Sequence, residues 1–351
     1  MSQAIRYDRY GGPEVLTLDE VPIPEPGPGQ VRVAVRAAGV NGIDWKLRYG
    51  FMDRGGLSAG PAGVGVEFAG TIDAIGAGAG GGVGTGADVG LGPGPDPSPE
   101  PSPSPSPGAG SGAGVDAFAG AGAGGWSLGQ AVFGKVLPGA AATHVAVGTD
   151  NLLAMPAWLS FEQAAALPVA VETAWRTLRQ LDVKEGHTLL IHAVAGGVGL
   201  VAAQLARARG VRVVGTASPA RHDFLRELGV RPVEYGDGWA GRVRAAAPEG
   251  VDAVLDASGR DVLAGSVDLA GGPDRVVTIA DGRAAEYGVR FSTGGAGGVP
   301  LAEVFAEVLP LLERGALRVP IERTFPLEET ADAHRLSEEG HLLGKIVITV
   351  P

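Results

Sequence analysis

The chain has 351 residues, which is long enough for two domains that each bury a core. Its 39 acidic and 28 basic residues give a formal net charge of -11, so neither nucleic acid nor an anionic membrane surface is expected as the main partner. Because cysteine is absent, disulfides, thiolate catalysis and cysteine-ligated zinc are excluded. The first residues lack the apolar core of a secretory leader and no apolar run is long enough to span a bilayer, which predicts a cytoplasmic protein without membrane contact.

The N-terminal part alternates short apolar stretches with clusters of proline and glycine, such as residues 22–29. This alternation is typical of strands joined by tight turns, and it predicts a β-rich region. The predicted strands cover residues 4–10, 16–21, 31–40, 64–75 and 131–147.

Residues 77–125 have a different composition, dominated by glycine, alanine, proline and serine, with a Ser-Pro repeat over 97–107. Such a segment has too little apolar surface to offset the conformational entropy that is lost on ordering. We therefore expect a disordered insertion, extended as polyproline II at its centre. A tolerated surface-loop insertion is the favoured interpretation, and a proline-rich docking motif is the alternative.

From residue 161 onward the chain alternates helices and strands, which indicates βαβ units around a parallel sheet. A helix is predicted over 161–180, with Ser160 as N-cap and Gln163 as its capping-box partner. Further helices are predicted over 197–209, 219–228, 238–247 and 301–314. Strands are predicted over 187–192, 211–215, 231–234, 251–256, 274–279 and 344–350.

A glycine-rich turn lies between the predicted strand 187–192 and the helix that follows it. Glycines at such a turn let the backbone approach a pyrophosphate, and the free amides at the helix N-terminus face the negative charge. Because the turn stands between a strand and a helix, it predicts a dinucleotide site rather than a purely structural glycine turn. The residues predicted to bind the cofactor here are Ala195, Gly196, Gly197, Val198 and Gly199.

The end of the next predicted strand distinguishes the two nicotinamide dinucleotides. An NAD site usually places an Asp or Glu about 20 residues beyond the glycines, where it accepts a hydrogen bond from the ribose 2′-hydroxyl. Here the first carboxylate is Asp223, already inside the next predicted helix. Ser218 can donate to a 2′-phosphate and Arg221 can pair with it, which predicts NADPH as the cofactor. The alternative for Arg221 is a solvated residue in the first turn of that helix.

Six segments carry motifs of one known family: 38–44 (AGVNGID), 65–70 (GVEFAG), 126–134 (WSLGQAVFG), 164–168 (AAALP), the glycine-rich turn and 344–347 (GKIV). On these motifs the chain resembles the zinc-free quinone oxidoreductase (zeta-crystallin-like) branch of the medium-chain dehydrogenase/reductase superfamily. The resemblance implies an α/β protein with a Rossmann domain, built on a doubly wound parallel sheet over 161–299, that binds NADPH. It also implies a GroES-like β-rich catalytic domain over 1–160 and 300–351 that carries the disordered insertion, an active site between the domains, and a homodimer.

The same resemblance indicates that no metal is bound. Zinc-dependent relatives carry a cysteine at the position of Asn41 and a Gly-His-Glu motif where this chain has Gly-Val-Glu at 65–67. Both ligands are therefore absent, and none of the six histidines has ligand spacing to another. We interpret three of them as structural residues: His192, His222 and His334.

The family pattern further implies roles for four residues around the cofactor. By resemblance, Asn41 lies beside the nicotinamide ribose, and Thr173 helps to hold the cofactor. The backbone of Ala280, at the end of a strand, is expected to meet the carboxamide. Tyr235 is expected near the adenine and its ribose phosphate.

Three side chains are candidates for a catalytic role: Asn41, which is also expected beside the nicotinamide ribose, Lys46 and Tyr49. Where many quinone oxidoreductases carry a tyrosine, this chain has Lys46, which either polarises a substrate oxygen or is a solvated loop cation. Tyr49 is either a donor to the substrate or a packed loop aromatic. No proton donor is assigned, and solvent can serve.

The expected activity follows from the predicted cofactor and the missing zinc ligands. Without a Lewis acid the site does not favour alcohol oxidation, in which zinc stabilises an alkoxide. Hydride transfer to a small-molecule quinone or α,β-unsaturated carbonyl compound suits it better, because the protein then supplies orientation, water exclusion and hydrogen-bond donors. The alternative is an NADPH-binding, crystallin-like protein with little or no turnover, in which the insertion covers or distorts the cleft.

Overall fold

The computed structural model describes residues 1–51, 57, 60–79, 125–136, 138–294 and 299–351. The predicted disordered insertion over 77–125 lies outside these residues, apart from residues 77–79 and 125 at its two ends. The described residues contain a β-rich region and a region built on a parallel sheet, and the candidate site lies where the two regions meet.

The strands and helices have the following bounds in the described part of the chain. The strands are β1 (Ser2–Tyr7), β2 (Thr17–Val21), β3 (Gln30–Val40), β4 (Ala62–Gly63), β5 (Glu67–Ile75), β6 (Ala131–Lys135), β7 (His144–Gly148), β8 (Leu152–Ala154), β9 (Thr188–His192), β10 (Arg212–Ala217), β11 (Arg231–Glu234), β12 (Ala253–Asp256), β13 (Val276–Thr278), β14 (Arg290–Phe291), β15 (Ile321–Pro326) and β16 (Lys345–Thr349). The helices are α1 (Gly42–Arg48), α2 (Phe161–Ala165), α3 (Pro168–Leu181), α4 (Gly197–Ala208), α5 (His222–Glu227), α6 (Trp239–Ala246), α7 (Leu263–Ala270), α8 (Leu301–Glu313) and α9 (Thr330–Glu339).

Both ends of the chain meet in one sheet of the β-rich region. Its strand order is β15-β16-β3-β5-β6-β8, with β7 also paired to β3, and Ile346 of β16 lies opposite Val40 of β3. Alternate residues of β3 (Val31, Val33 and Val35) are buried, as expected for a strand with one face on a core. The expectation of a GroES-like β-rich domain assembled from both chain ends is therefore confirmed.

The second region is a parallel sheet with the strand order β11-β10-β9-β12-β13-β14. Its central strand, β9, is buried along its whole length, which is typical of a strand covered on both sheet faces. The buried residues of α3 and α4 belong to one apolar cluster, and those of α6 and α7 belong to another. This order with helices on both faces is the doubly wound dinucleotide-binding arrangement, so the Rossmann prediction is confirmed.

One apolar cluster is shared by the two regions. Phe133 of β6 packs edge-to-face against Phe305 of α8, with the ring centroids 5.2 Å apart. Ala37 of β3 and Ala69 of β5 belong to the same cluster as the residues of α3 and α4. This shared core fixes how the two sheets face each other. The domain division at 160/161 and 299/300 stays a prediction.

The predicted helix over 161–180 is two helices in the structure. Pro168 cannot continue α2 and instead opens α3, where a missing backbone N–H costs nothing. The capping box is confirmed, because Ser160 N donates to Gln163 Oε1 at 3.0 Å and Gln163 N donates to Ser160 Oγ at 3.2 Å. In the same way, the predicted helix over 219–228 begins with a 3-10 turn at Pro219–Arg221.

The expectation of a loop at Lys46 is wrong, whereas Tyr49 lies in the turn just after a helix. Residues Gly42–Arg48 form α1, and Asn41 N donates to Asp44 Oδ2 at 2.8 Å where the helix begins. The predicted strand 131–147 is the two strands β6 and β7. Also not predicted from the sequence were α7, α9, β4, β8, β14 and β15, which are short or weakly periodic segments formed through tertiary packing.

Candidate active site

The glycine-rich turn has the geometry that the sequence predicts. β9 ends at His192, Ala193 adopts a positive φ of 55°, and α4 begins at Gly197 with Gly196 as its N-cap. A Cβ on Gly199 would lie 2.5 Å from the carbonyl oxygen of Ala193, so glycine is required for α4 to approach the strand this closely. The free amides at the start of α4 thus lie at the carboxyl end of β9, where dinucleotide pyrophosphates bind.

The C-terminal part of the β-rich region contacts this turn directly. Gly344 N donates to the carbonyl of Ala195 at 2.8 Å, and Gly196 and Gly344 form an isolated parallel bridge. A Cβ on Gly197 would lie 2.6 Å from Cδ of Lys345. The turn is therefore held between its own sheet and the chain segment that leads into β16.

A buried polar cluster lies beside the turn and joins Asn41, Glu67 and Lys345. Lys345 Nζ donates to Glu67 Oε1 at 2.6 Å, to the carbonyl of Val40 at 3.0 Å and to Asn41 Oδ1. Asn41 Nδ2 donates to the same Glu67 oxygen at 2.8 Å, and Val169 N donates to the other at 2.7 Å. Glu67 is 0% and Lys345 4% exposed, so this is a buried, fully hydrogen-bonded ion pair.

These residues do not fit the zinc of zinc-dependent relatives. Val66 offers no ligand atom, and the Asn41 amide and the Glu67 carboxylate both bind the ammonium of Lys345. Within the described ranges, no three His, Asp or Glu side chains come close enough together to hold a metal ion. His192 and His334 instead lie buried with hydrogen-bond partners, and burial lowers the pKa of His192 to about 4.

Asp44 lies directly beneath this cluster. Burial raises the pKa of its carboxyl group to about 7, although the hydrogen bond from Asn41 N acts in the opposite direction. Its Oδ1 is buried and has no hydrogen-bond partner among the residues described. The carboxyl group therefore changes its protonation state near neutral pH, close to a residue that the sequence predicts to contact the cofactor.

Lys46 crosses from α1 to the edge of the parallel sheet. Its Nζ donates to the carbonyl of Ala280, just beyond β13, at 3.2 Å. Burial lowers the pKa of this ammonium, whereas the carboxylates of Asp256 and Asp281 act to raise it. The solvated-cation interpretation of Lys46 is therefore wrong. Its charge lies at the carboxyl ends of the parallel strands, where ligands of such folds bind.

The side chain of Asp256 is buried at this edge and held by several hydrogen bonds. It is 0% exposed, and its Oδ1 accepts from Ser258 N at 2.8 Å and from Ser258 Oγ at 2.7 Å. Its Oδ2 accepts from Thr278 Oγ1 at 2.8 Å. Since the carboxylate is held by these donors and not by Lys46, the lysine ammonium keeps its own hydrogen-bonding capacity.

Tyr49 points to a different part of the molecule. Its hydroxyl donates to Glu338 Oε2 on α9 at 3.2 Å, and its ring stacks on Phe51 with the centroids 5.6 Å apart. The guanidinium of Arg48, which is fully buried and also pairs with Glu338, lies 4.9 Å from the Tyr49 ring. The structure thus brings Lys46 to Ala280 and directs the Tyr49 hydroxyl to α9. A donor role for Tyr49 stays a prediction.

Thr173 is buried on α3, with its Oγ1 3.5 Å from Glu172 Oε2. Glu172 is also bound by Arg176 Nε at 2.7 Å. The role of Thr173 in holding the cofactor stays a prediction.

The residues predicted for the 2′-phosphate lie together just beyond β10. Ser218 precedes the 3-10 turn that contains Arg221. Arg221 is not a solvated first-turn residue, because its Nη2 donates to both carboxylate oxygens of Glu322, at 3.0 and 3.2 Å. Tyr235 follows β11, and its ring centroid lies 6.0 Å from that of His341. Sequence reasoning missed Glu322 and Lys345, although Lys345 stands within the 344–347 motif.

Comparisons with known proteins agree with this architecture. A model described as "Alcohol dehydrogenase GroES-like domain" matches residues 27–157, and one described as "Zinc-binding dehydrogenase" matches residues 231–348. A quinone oxidoreductase of Pseudomonas aeruginosa is 30% identical over 356 residues, which cover 95% of each chain. The native structure of a mycobacterial protein complexed with NADPH is 25% identical, has a TM-score of 0.76, and is matched over 99% of this chain and 100% of that one.

The fold and the glycine-rich turn define a protein of the dinucleotide-binding class, with a β-rich region and a region built on a parallel sheet. The chain belongs to the quinone oxidoreductase branch of the medium-chain dehydrogenase/reductase superfamily. It is also 35% identical over 361 residues to the spectinabilin polyketide synthase system protein NorB of Streptomyces orinoci. That match covers 97% of this chain and 14% of NorB, so the chain spans about one seventh of that relative's length.

Proposed function

We propose that the chain is a metal-independent, NADPH-dependent reductase that transfers hydride to a quinone or to an α,β-unsaturated carbonyl compound. The observation that carries this proposal is the position of Lys46. Its half-buried ammonium reaches the carboxyl-end edge of the parallel sheet and is bound there by the neutral carbonyl of Ala280, at 3.2 Å. A hydrogen-bond donor at this edge is what the developing charge on a substrate oxygen requires.

The cofactor part of the proposal rests on residues at both ends of the cleft. The amides at the start of α4 would hold the pyrophosphate, and Ser218, Arg221 and Tyr235 would hold the phosphorylated ribose. A bound NADPH supplies the hydride. The mycobacterial structure matched above contains NADPH, which supports the same cofactor here.

The ligand set supports a reaction that needs no metal. Glu67 pairs with the ammonium of Lys345 at 2.6 Å. Asn41 occupies the position at which zinc-dependent relatives carry a cysteine ligand. When a C=C bond conjugated to a carbonyl is reduced, charge appears on an oxygen that an N–H donor can stabilise. The protein then has to orient the partners and exclude water.

The contact between Lys46 and Ala280 gives the lysine a defined action. If the carboxamide of the cofactor takes the Ala280 carbonyl, as the family pattern implies, the ammonium of Lys46 loses its acceptor. A substrate oxygen can then replace that acceptor. Lys46 would thereby act as the donor that polarises the substrate, while protonation of the product carbon is left to solvent.

The test is a turnover assay with the purified chain. Loss of NADPH absorbance is followed against a panel of quinones, enones and enoyl thioesters, with NADH as the parallel cofactor and with metal content measured in the same sample. We expect turnover of at least one acceptor with NADPH, at less than 0.1 equivalent of zinc, as an order-of-magnitude threshold. Tight NADPH binding without any turnover would instead support an NADPH-binding, crystallin-like protein.

The assembly and location of the chain are part of the same proposal. The family resemblance implies a homodimer, which sedimentation equilibrium of the purified chain would test. No helix in the described part of the chain combines the length and apolar character needed to cross a membrane. A cytoplasmic location and the two-domain division stay predictions.

A further inference from the structure

Glu322 occupies the predicted adenine end of the cleft and has no part in the function proposed above. Arg221 Nη2 donates to its two carboxylate oxygens at 3.0 and 3.2 Å, and to the carbonyl of His341 at 3.2 Å. Each of the two charged side chains retains only 27% exposure. The arginine expected to meet a 2′-phosphate is therefore already paired with an anion of the protein.

An irregularity in the β15–β16 pairing positions the Glu322 carboxylate beside Arg221. β15 pairs with β16 so that Ile321 lies opposite Lys345 and Arg323 lies opposite Ile346, which leaves Glu322 as the extra residue of a bulge. A bulge changes the direction in which a side chain leaves its strand. Leu343 N also donates to Glu322 Oε2, at 2.8 Å. The carboxylate is thus held from two sides and is not a loose surface counter-ion.

The segment that holds Glu322 also contacts the cofactor turn. Leu343 directly precedes Gly344, and His341 lies three residues before it. The N–H of Gly344 donates to the carbonyl of Ala195 at 2.8 Å. The ring of His341 in turn lies 6.0 Å from the Tyr235 ring, centroid to centroid. Glu322 therefore lies beside Arg221 and on the segment that leads into the cofactor turn, at the predicted ribose-phosphate end of the site.

We propose that Glu322 is a specificity-determining residue that competes with the 2′-phosphate of NADPH for Arg221. This inference rests on the proposed function. A phosphomonoester carries a charge of roughly -1.5 to -2 at pH 7. It can pair with Arg221 only if Glu322 releases or shares the guanidinium, and the remaining carboxylate repels it. NADH has no such group, so Glu322 weakens NADPH binding selectively.

The opposing role for Glu322 is to hold Arg221 in the orientation that receives the phosphate. The two roles predict opposite signs for a neutral, isosteric variant. Under competition, Glu322→Gln removes the repulsion and keeps an acceptor for Leu343 N and Arg221, so NADPH binds more tightly. If Glu322 instead orients Arg221, the same change weakens its hydrogen bonds to Arg221, and NADPH binding stays unchanged or becomes weaker.

The experiment is direct titration of the full chain with NADPH and with NADH. It compares the wild type with Glu322→Gln, Glu322→Ala and Arg221→Ala. The matched control is Arg226→Ala, which breaks an exposed ion pair with Asp223 (2.6 Å) on α5. We expect Glu322→Gln to lower the Kd of NADPH about fivefold and to leave the Kd of NADH within about twofold. Thermal unfolding without cofactor verifies that each variant is folded, and Glu322→Ala is the second variant if Gln is not accommodated.

The outcomes separate this inference from the proposed function. Suppose that Arg221→Ala weakens the binding of NADPH but not of NADH, while neither Glu322 variant binds NADPH more tightly. The competition between Glu322 and the 2′-phosphate is then wrong, and the NADPH assignment stands. If the wild type does not distinguish NADPH from NADH and Arg221→Ala changes neither Kd, the NADPH assignment fails and the competition fails with it.

Discussion

Lys46 and Lys345 both reach the cofactor side of the parallel sheet, but their partners differ. Lys345 is 4% exposed, lies 2.6 Å from the buried carboxylate of Glu67, and also binds the carbonyl of Val40. Lys46 is half-buried, and its hydrogen bond in the described structure is to the neutral carbonyl of Ala280, at 3.2 Å. One ammonium is neutralised within the fold, whereas the other brings a charge into the cleft.

The difference indicates which lysine can act on a substrate. Removing Lys345 from Glu67 would leave a buried carboxylate without its counter-charge, so this ammonium is fixed by the stability of the fold. Lys46 can exchange a carbonyl for another oxygen acceptor at much lower cost. We therefore assign stability to Lys345 and reactivity to Lys46, and the following predictions test that division.

The largest expected effect is on stability, in Lys345→Met. The change leaves Glu67 buried with an uncompensated charge, and the free energy of unfolding should fall by about 3–5 kcal/mol. Urea unfolding followed by circular dichroism measures it. Arg226→Ala, on an exposed ion pair, serves as control and should cost less than about 1 kcal/mol. If the free energy of unfolding fell by a similar amount in both variants, the structural role of Lys345 would be contradicted.

The next effect is on the pH dependence of stability, through Asp44. Burial raises the pKa of this carboxyl group from the ordinary aspartate range to about 7, so near pH 6 the folded state holds a proton that the unfolded state has released. This contribution is fully present below about pH 4 and is lost as the pH rises to about 7. Between pH 5 and pH 8 the wild type should lose roughly 2 kcal/mol relative to Asp44→Asn. Parallel stability curves for the two proteins would contradict the protonated buried carboxyl.

A smaller effect is expected on the pH profile of catalysis. Because burial lowers the pKa of Lys46, its ammonium should lose its proton at a pH lower than that at which an ordinary lysine does. Above that pKa, kcat/KM should fall by about tenfold for each pH unit. Lys46→Met should not show this fall on the basic side of its pH profile. If the variant retains the same basic limb, the titrating group lies elsewhere.

The smallest effect is expected for Tyr49→Phe. The hydroxyl donates to Glu338 of α9 at 3.2 Å, whereas the side chain that reaches Ala280 is Lys46. We expect kcat/KM within about twofold of the wild type and a change in stability below about 1 kcal/mol. A tenfold loss of kcat/KM with unchanged stability would transfer the donor role from Lys46 to Tyr49.

Features encoded by local patterns could be predicted from the sequence. The glycine turn at 193–199 is visible as a motif, and the strands and helices around it show regularly spaced apolar residues. The Ser160 capping box lies within four consecutive residues. Short elements such as α1 and α9 gave weaker signals, because helices of this length depend on packing against the rest of the fold.

Contacts between residues far apart in the chain could not be predicted this way. Lys46 and Ala280 are separated by 234 positions, Glu67 and Lys345 by 278, and Arg221 and Glu322 by 101. The sequence singled out both Lys46 and Ala280 but not their contact, and it singled out Arg221 but not Glu322. Glu67 and Lys345 stood only within motifs, without an assigned role. A charged residue thus remains ambiguous until its burial and its partner are known, as the two lysines illustrate.

The catalytic role of Lys46 is tested most directly by a single turnover of Lys46→Met. The variant is saturated with NADPH, mixed rapidly with the acceptor found for the wild type, and the rate of NADPH oxidation is recorded by stopped flow. We predict a rate about tenfold to hundredfold lower than that of the wild type, with the apo unfolding free energy within about 1 kcal/mol, because the lost donor acts on the developing oxyanion. A variant that transfers hydride at the wild-type rate would contradict the catalytic role of Lys46.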